Sequence, residues 1–204
     1  MREAAEGGGA LAVHAVGNAA VGDVLAALAR HPDAPVRLEH ALTLDAELAA
    51  RLADSGRPIV TQPGFLRSHS RQLVTVPVPE PMQLMPLRTL LDHGAPVAFG
   101  SDYPAAELSP WPAIAAAVSR GSGADGRGPL VHPEQALTLD EALDACTRVA
   151  AEVLGVGDAG VVAPGMSADL QWVDRDPYAV SAPDELAGIA TRELWCRGVA
   201  PGAA

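Results

Sequence analysis

One stretch of the chain decides its fold: VRLEHALTLDAELAARLADSG, residues 36–56. It begins with a strand-like run at 36–40 and changes from Leu44 onward to apolar residues at helical spacing. Thr43 is predicted to cap this helix, and Gly56 is predicted to end it. A strand followed by a helix of this length is the unit from which parallel α/β sheets are built.

The same change of period occurs on both sides of this stretch. Upstream, an apolar run at 10–14 precedes helical spacing at 19–30. Downstream, strand candidates lie at 58–62 and 96–100, and a helix at 87–93 precedes the second of them. Four strands separated by helices predict right-handed crossovers and a parallel sheet.

The remaining segments are less regular. The proline-rich loop at 67–85 is interpreted as a lid over a site, and the glycine-rich stretch at 121–133 is expected to be mobile. Thr138 and Glu141 form the pattern of a capping box, which predicts one long helix to Leu154 closed by Gly155. After this helix, short β segments are predicted at 160–162, 168–173 and 191–197.

Composition narrows the class of protein. The 204 residues are 49% hydrophobic and carry a net charge of −11, which argues against a nucleic-acid or anionic-membrane partner. No apolar run is long enough to span a membrane, and the first residues lack the apolar segment of a signal peptide. Cys146 and Cys196 give no disulfide framework, so a cytoplasmic protein is expected.

Three polar residues stand at the predicted carboxyl ends of strands: His14, His40 and Asp102. Strand alternation places His14 on the face of Ala12 and His40 on the face of Leu38, so both are expected to look into a barrel interior. Two imidazoles and a carboxylate suit a divalent metal such as zinc.

A plainer interpretation stands beside the metal site, because a lone histidine at a strand end is more often a core or loop residue. By itself, Glu39 would be a surface or helix-facing acid, and Cys146 would be a buried structural thiol. The other histidines are assigned to loops and helix ends: His31, His69, His93 and His132.

The motifs resemble those of a known family. HAVGNAAV at 14–21 resembles the HAIGDxAV signature of amidohydrolase family 3, the branch of the metal-dependent amidohydrolases that includes N-substituted formamide deformylases. RLEHA at 37–41 resembles its RIEHA motif, and FGSDYP at 99–104 resembles xGSDxP. Further similarities follow in the family's order: TQP at 61–63, PLRTLLDHG at 86–94, AVSR at 117–120, LTLDEAL at 137–143 and PGMSADL at 164–170.

The resemblance implies an α/β fold made of the second half of an amidohydrolase TIM-type barrel, strands 5–8, at 1–157. Carboxyl-terminal strands of a small β-sandwich would follow at 158–204. His14 and His40 would be metal ligands, and Asp102 would bind the metal and act as general base. The implied reaction is hydrolysis of a carbon–nitrogen bond other than a peptide bond, in a linear amide or formamide, with zinc as the expected metal.

Several family features are missing. Family members carry a His-x-His pair after the first strand and often a carboxylated lysine, but this sequence has neither His-x-His nor any lysine. Asn18 replaces the usual Asp, and Met166 stands where Lys or Arg is common. Two interpretations therefore stay open: the carboxyl-terminal part of an amidohydrolase that works with a missing half, or a non-catalytic domain that binds a ligand or partner.

A half-barrel would expose two strand edges and an inner face that includes Ala12, Leu38, Val60 and Ala98. Either a homodimer or a complementary amino-terminal half would cover them, and both are expected partners beside a small amide substrate. Alternatively, the loop at 67–85 or the β appendage folds over the open face.

Overall fold

A parallel sheet forms the centre of the protein in the computed structural model, which describes residues 10–69, 79–123 and 125–200. Its strands are β1 (Leu11–Gly17), β2 (Val36–Leu44), β3 (Ile59–Thr61) and, after the short β4 (Gln83–Leu84), β5 (Val97–Phe99). The order across the sheet is β1-β2-β3-β5, with every neighbouring pair parallel. The prediction of four consecutive parallel strands is confirmed. β4 is an addition, because it pairs antiparallel with the end of β2.

Seven helices are present in the described part of the chain, together with three 3₁₀ turns and a second sheet. The helices are α1 (Asn18–Arg30), α2 (Ala46–Asp54), α3 (Phe65–Ser68), α4 (Leu87–Asp92), α5 (Trp111–Ser119), α6 (Leu139–Cys146) and α7 (Arg148–Leu154). The 3₁₀ turns are Pro133–Gln135, Pro177–Ala179 and Pro183–Gly188, and the second sheet pairs β6 (Leu170–Val173) antiparallel with β7 (Thr191–Trp195).

Helix α2 begins two residues later than predicted. Asp45 is its cap, and the Asp45 Oδ1 atom accepts a hydrogen bond of 2.7 Å from the Leu48 amide. Thr43, the predicted cap, lies inside β2 because β4 pairs with Thr43 and Leu44 and extends the strand. A pairing partner 40 residues away along the chain is invisible to local capping rules.

The predicted start and end of the helical segment after residue 138 are both confirmed, but the segment is two helices and not one. Thr138 and Glu141 form the predicted capping box, and Gly155 ends α7 with a left-handed φ of +70°. Between them the backbone breaks at Thr147, with φ −123° and ψ −89°, so two helices replace the single one predicted.

The core lies between the sheet and its helices. In a parallel pair, residues in register point to the same face, so Val13, Leu38, Ile59 and Val97 form one row. Leu38 and Ile59 are fully buried. Leu38 was expected on the exposed inner face; that prediction is wrong, because Leu38 belongs to the row covered by helices.

The opposite face of the sheet is more open. Ala12 is exposed and Val60 is half-buried on this face, whereas Ala98 at the end of the row is buried. β1 and β5 are each paired on one side only within the described residues.

The glycine-rich stretch at 121–133 contains hydrogen bonds between its two ends. Gly121 and Leu130 form an antiparallel bridge, and the Ser122 hydroxyl donates to the Pro129 carbonyl at 2.8 Å. In the predicted lid, residues 70–78 lie outside the described part of the chain, and α3 and β4 stand on either side of them.

The two later β predictions are confirmed by β6 and β7, but 160–162 is not a strand. Gly160 has a φ of +89°, and a Cβ there would lie 2.8 Å from the Thr147 carbonyl oxygen. The segment therefore turns tightly against the start of α7. The domain boundary expected after residue 157 stays a prediction.

Within the described residues, no helix combines the length and apolar character needed to cross a bilayer.

Candidate functional site

Two histidine rings meet on neighbouring strands of the parallel sheet. The ring centroids of His14 on β1 and His40 on β2 are 4.4 Å apart, and the rings are edge to face at 70°. His14 is exposed and His40 is half-buried, so the pair is open to solvent on one side. The structure thus brings together two of the three residues expected at a metal site.

An irregularity in β2 makes this meeting possible. The register pairs His14 with Glu39 and Ala15 with His40, which would place the two histidines on opposite faces of a regular sheet. The next pair is Gly17 with Thr43, so β2 carries one extra residue at this point. Such a bulge redirects side chains. His40 has a φ of +82°, in the left-handed region that L-residues rarely adopt.

The expectation drawn from simple alternation is therefore corrected. His14 does share the open face with Ala12, but His40 reaches it through the bulge and not by alternation from Leu38. Strained backbone of this kind persists where surrounding structure imposes it, and it is frequent at functional sites.

His40 is held from the neighbouring strand. The Nδ1 atom of His40 lies 2.8 Å from the Oε1 atom of Gln62, the residue that follows β3. Gln62 is only 2% exposed. The TQP motif at 61–63 includes Gln62 but assigns it no role; the signal in the sequence is a polar residue between a buried strand and a proline.

Asp102 lies at the same end of the sheet but does not join the histidine pair. It is exposed, has a φ of +52° and follows β5. Among residues 10–69, 79–123 and 125–200, no three His, Cys, Asp or Glu side chains form a group that could hold a metal ion. In the sheet order, β5 is two strands from β2 and three from β1, about 4.8 Å for each step. Strong curvature of the sheet is needed to close that gap.

The open face also carries an ion pair. The Arg37 Nε atom donates to the Glu39 Oε1 atom at 2.7 Å, and Glu39 is in register with His14. Glu39 was expected to be a surface or helix-facing acid; the register places it with His14 on the open face of the sheet, so it does not face the helices. Its carboxylate forms an ion pair with the guanidinium of Arg37, two residues away on the same strand.

Asn18, which departs from the family motif, also has a clear structural role. The Asn18 Nδ2 atom donates to Asp45 Oδ2 at 2.5 Å, and the Asp45 amide donates to Asn18 Oδ1 at 3.0 Å. These bonds join the start of α1 to the cap of α2.

A cavity of about 570 Å³ opens near the carboxyl ends of β3 and β5. Its walls include Gly64 after β3, Ser101 after β5 and the stretch 106–110. Arg67 and Asp184 form an ion pair in its wall, with Nη1 and Oδ1 3.6 Å apart. Of the described residues that line it, none is a member of the histidine pair, although Ser101 directly precedes Asp102.

Cys146 also lines this cavity, and burial raises the pKa of its thiol to about 12. A thiol with so high a pKa is not ionised near neutral pH and is a poor nucleophile. The prediction of a structural cysteine agrees with this environment.

Comparison with known protein families shows the family to which the chain belongs. A family model described as "Amidohydrolase family" matches residues 1–200. The chain belongs to the amidohydrolase family.

Two curated proteins are similar to this chain. N-substituted formamide deformylase of Arthrobacter pascens is 34% identical over 197 residues, covering 93% of this chain and 36% of that protein. YtcJ of Bacillus subtilis strain 168 is 32% identical over 185 residues, covering 88% of this chain and 35% of that protein. The chain spans about a third of the length of these relatives.

Solved structures agree with the assignment. An uncharacterized metal-dependent hydrolase from Pyrococcus horikoshii OT3 superposes with a TM-score of 0.76 at 28% identity, over 88% of this chain and 36% of that chain. A mutant of atrazine chlorohydrolase TrzN from Arthrobacter aurescens TC1, complexed with zinc and atraton, superposes with a TM-score of 0.64 at 25% identity. The match covers 98% of this chain and 45% of that chain. The parallel sheet of this chain therefore corresponds to part of the fold of these proteins.

Proposed function

We propose that this chain forms the second half, strands 5–8, of an amidohydrolase barrel and contributes to a metal centre that hydrolyses carbon–nitrogen bonds other than peptide bonds. The reaction would be hydrolysis of a linear amide or formamide. The observation that carries the proposal is the contact between the His14 and His40 rings, 4.4 Å apart on neighbouring parallel strands of a family member.

Two of the three expected ligands, His14 and His40, lie close enough together to share a metal ion. Two converging imidazoles are a common beginning of a zinc site, and His14 and His40 would hold the ion with Asp102 as the third ligand. Bound zinc supplies a Lewis acid and a water of lowered pKa. The described residues do not assemble all three ligands, so we expect weak binding to the chain alone.

The chain's own residues have separate tasks in this proposal. The bulge in β2 points His40 towards His14. Asp102, exposed at the end of β5, would accept the proton of the attacking water at its carboxylate. The neighbouring cavity would take the substituent of the amide, since Phe99, Leu108 and Pro110 give it apolar walls.

Calorimetric titration with zinc tests the metal site. The 204-residue chain is expected to bind zinc weakly, and His14→Ala and His40→Ala are each expected to lower the affinity at least about tenfold. His31→Ala is the matched control, because His31 lies at the end of α1, away from the ring pair. Zinc affinity that is unchanged in His14→Ala would contradict the proposal.

Turnover is tested with formamides that carry alkyl or aryl substituents on nitrogen. We expect little or no hydrolysis by the chain alone, because half of the ligand set expected in the family is missing from the sequence. Robust turnover that Asp102→Asn abolishes would show that this chain completes the site by itself.

A second candidate is a non-catalytic domain that binds a ligand or partner. The absence of a three-residue metal group among the described residues favours it. A chain that binds no zinc and yet binds amides in the cavity near Ser101 would support this alternative.

A further inference from the structure

The side-chain amide of Gln62 is buried beside the histidine pair and has two polar contacts. Its Oε1 atom lies 2.8 Å from His40 Nδ1, and its Nε2 atom donates to the Val60 carbonyl at 3.4 Å. The shorter contact is the one to His40. Gly100, which follows the neighbouring strand β5, lies next to Val60: a Cβ there would be 3.1 Å from Val60 Cγ1 and at an ordinary contact distance of 3.8 Å from Gln62 Nε2.

The contact with the Val60 carbonyl favours one of the two orientations of the Gln62 amide. If the amide were turned over, Gln62 Oε1 would face the Val60 oxygen, and two acceptors would meet without a hydrogen. The observed orientation instead aims the amide oxygen at His40. An amide oxygen only accepts hydrogen bonds, so His40 Nδ1 must carry the hydrogen.

The protonated Nδ1 leaves Nε2 as the ring nitrogen of His40 with a free lone pair. In proteins, the hydrogen bond made by one imidazole nitrogen determines which tautomer is present and how the ring is oriented. Metal-binding histidines are regularly held in this way by an outer partner. An outer partner for the His40 ring matters especially here. The backbone of His40 has a left-handed φ of +82°, and the bulge sets the backbone but not the rotation of the ring.

We propose that Gln62 is a positioning residue that holds His40 in the Nδ1–H tautomer and directs its Nε2 atom to the metal. The inference rests on the proposed function for its metal, but the tautomer can be measured without any metal. Gln62 is neutral, so it orients His40 without adding a charge to the site.

The first test is the imidazole nitrogen spectrum of the metal-free chain, measured by long-range proton–nitrogen NMR and assigned with His40→Phe. We expect His40 to be mainly the Nδ1–H tautomer in the wild-type chain and in Gln62→Glu, which keeps an acceptor. In Gln62→Leu the Nε2–H tautomer is expected to become the major one. A wild-type His40 that is mainly Nε2–H overturns the proposal, whether or not any variant folds.

The second test is zinc affinity by calorimetry. Gln62→Leu is expected to lose about 10- to 100-fold in affinity, and Gln62→Glu is expected to retain binding. Gln135→Leu is the matched control, since Gln135 is also buried but bonds to Thr89 and Gln83. Equal affinity of Gln62→Leu and wild type overturns the positioning role. A wild-type chain that binds no zinc overturns the proposed function, while the tautomer measurement still decides the role of Gln62.

Discussion

At the scale of single residues, the Glu141 carboxylate combines a helix cap with a two-point ion pair outside the candidate site. It completes the capping box of α6 and accepts two hydrogen bonds from Arg88, at 2.6 and 3.0 Å. The bond from Arg88 is the main reason that the pKa of Glu141 falls from 4.5 to about 2. One carboxylate thus joins the start of α6 to α4.

This contact predicts a pH dependence of stability. Glu141 holds its proton less readily in the folded chain than in the unfolded chain, so its contribution is complete above pH 4.5 and is lost as the pH falls towards about 2. We expect Glu141→Gln to lower the free energy of unfolding by about 1 kcal/mol at pH 7. The difference from wild type should shrink between pH 4.5 and 2. Urea titrations across this range measure it.

Glu152→Gln is the control for this prediction, because Glu152 on α7 is 66% exposed and contacts Arg148 at 3.8 Å. It should change stability little at any pH. A Glu141→Gln variant whose deficit is the same at pH 7 and pH 2 would contradict the assigned pKa.

At the scale of elements, the end of α7 offers a paired test of backbone conformation. Gly155 has a φ of +70° and Gly157 lies outside the left-handed region, and a Cβ at either position meets nothing within 4 Å. Gly155→Ala is expected to cost about 1 kcal/mol, because only its backbone conformation disfavours a side chain. Gly157→Ala should leave stability unchanged or slightly raised. Equal thermal shifts in the two variants would refute this explanation.

A second element-scale prediction concerns Arg120, which follows α5 and is fully buried. Its Nε atom donates to the Val131 carbonyl at 2.8 Å and its Nη2 atom to the Leu84 carbonyl at 2.7 Å, so it fastens β4 to the loop after α5. Burial lowers the pKa of Arg120 to about 10, although Glu134 opposes the shift.

Lysine cannot reproduce the two-armed contact of Arg120. Arg120→Lys is therefore expected to lower the free energy of unfolding by about 2 kcal/mol in urea titrations. Arg127→Lys, at an exposed position in the same loop, is the control and should have no measurable effect. Equal stability of Arg120→Lys and wild type would mean that the two carbonyls find other donors.

The elements also show how far sequence reasoning reaches. The four parallel strands, the capping box and the turn at Gly155 were predictable, because period and capping are local properties. The extension of β2 and its bulge were not, since both depend on strands distant along the chain. For the candidate site, residue types pointed to His14 and His40, but the face reached by His40 and its contact with Gln62 depend on that bulge and on β3.

At the scale of the whole molecule, the open face of the sheet predicts association. β1 and β5 are each paired on one side only within the described residues, and Ala12 is exposed beside them. A strand edge without a partner, next to exposed apolar side chains, favours pairing with another chain. We propose that a second copy or a complementary amino-terminal half covers this face.

Light scattering coupled to gel filtration tests the simplest case. The pure chain is expected to form a dimer at micromolar concentration, and Ala12→Lys is expected to shift it towards the monomer by placing a charge on the open face. Ala19→Lys is the control, because Ala19 is also exposed but lies on α1. A wild-type chain that stays monomeric would contradict self-association.

The order of the parallel strands in the sheet is also their order along the chain, from β1 to β5. During synthesis on the ribosome, each new parallel strand therefore emerges after the strand on which it docks. Growth of this sheet can be sequential, with one free edge moving forward as the chain lengthens. Among the described strands of this sheet, β4 runs in the opposite direction and pairs with β2 after β3 has been made.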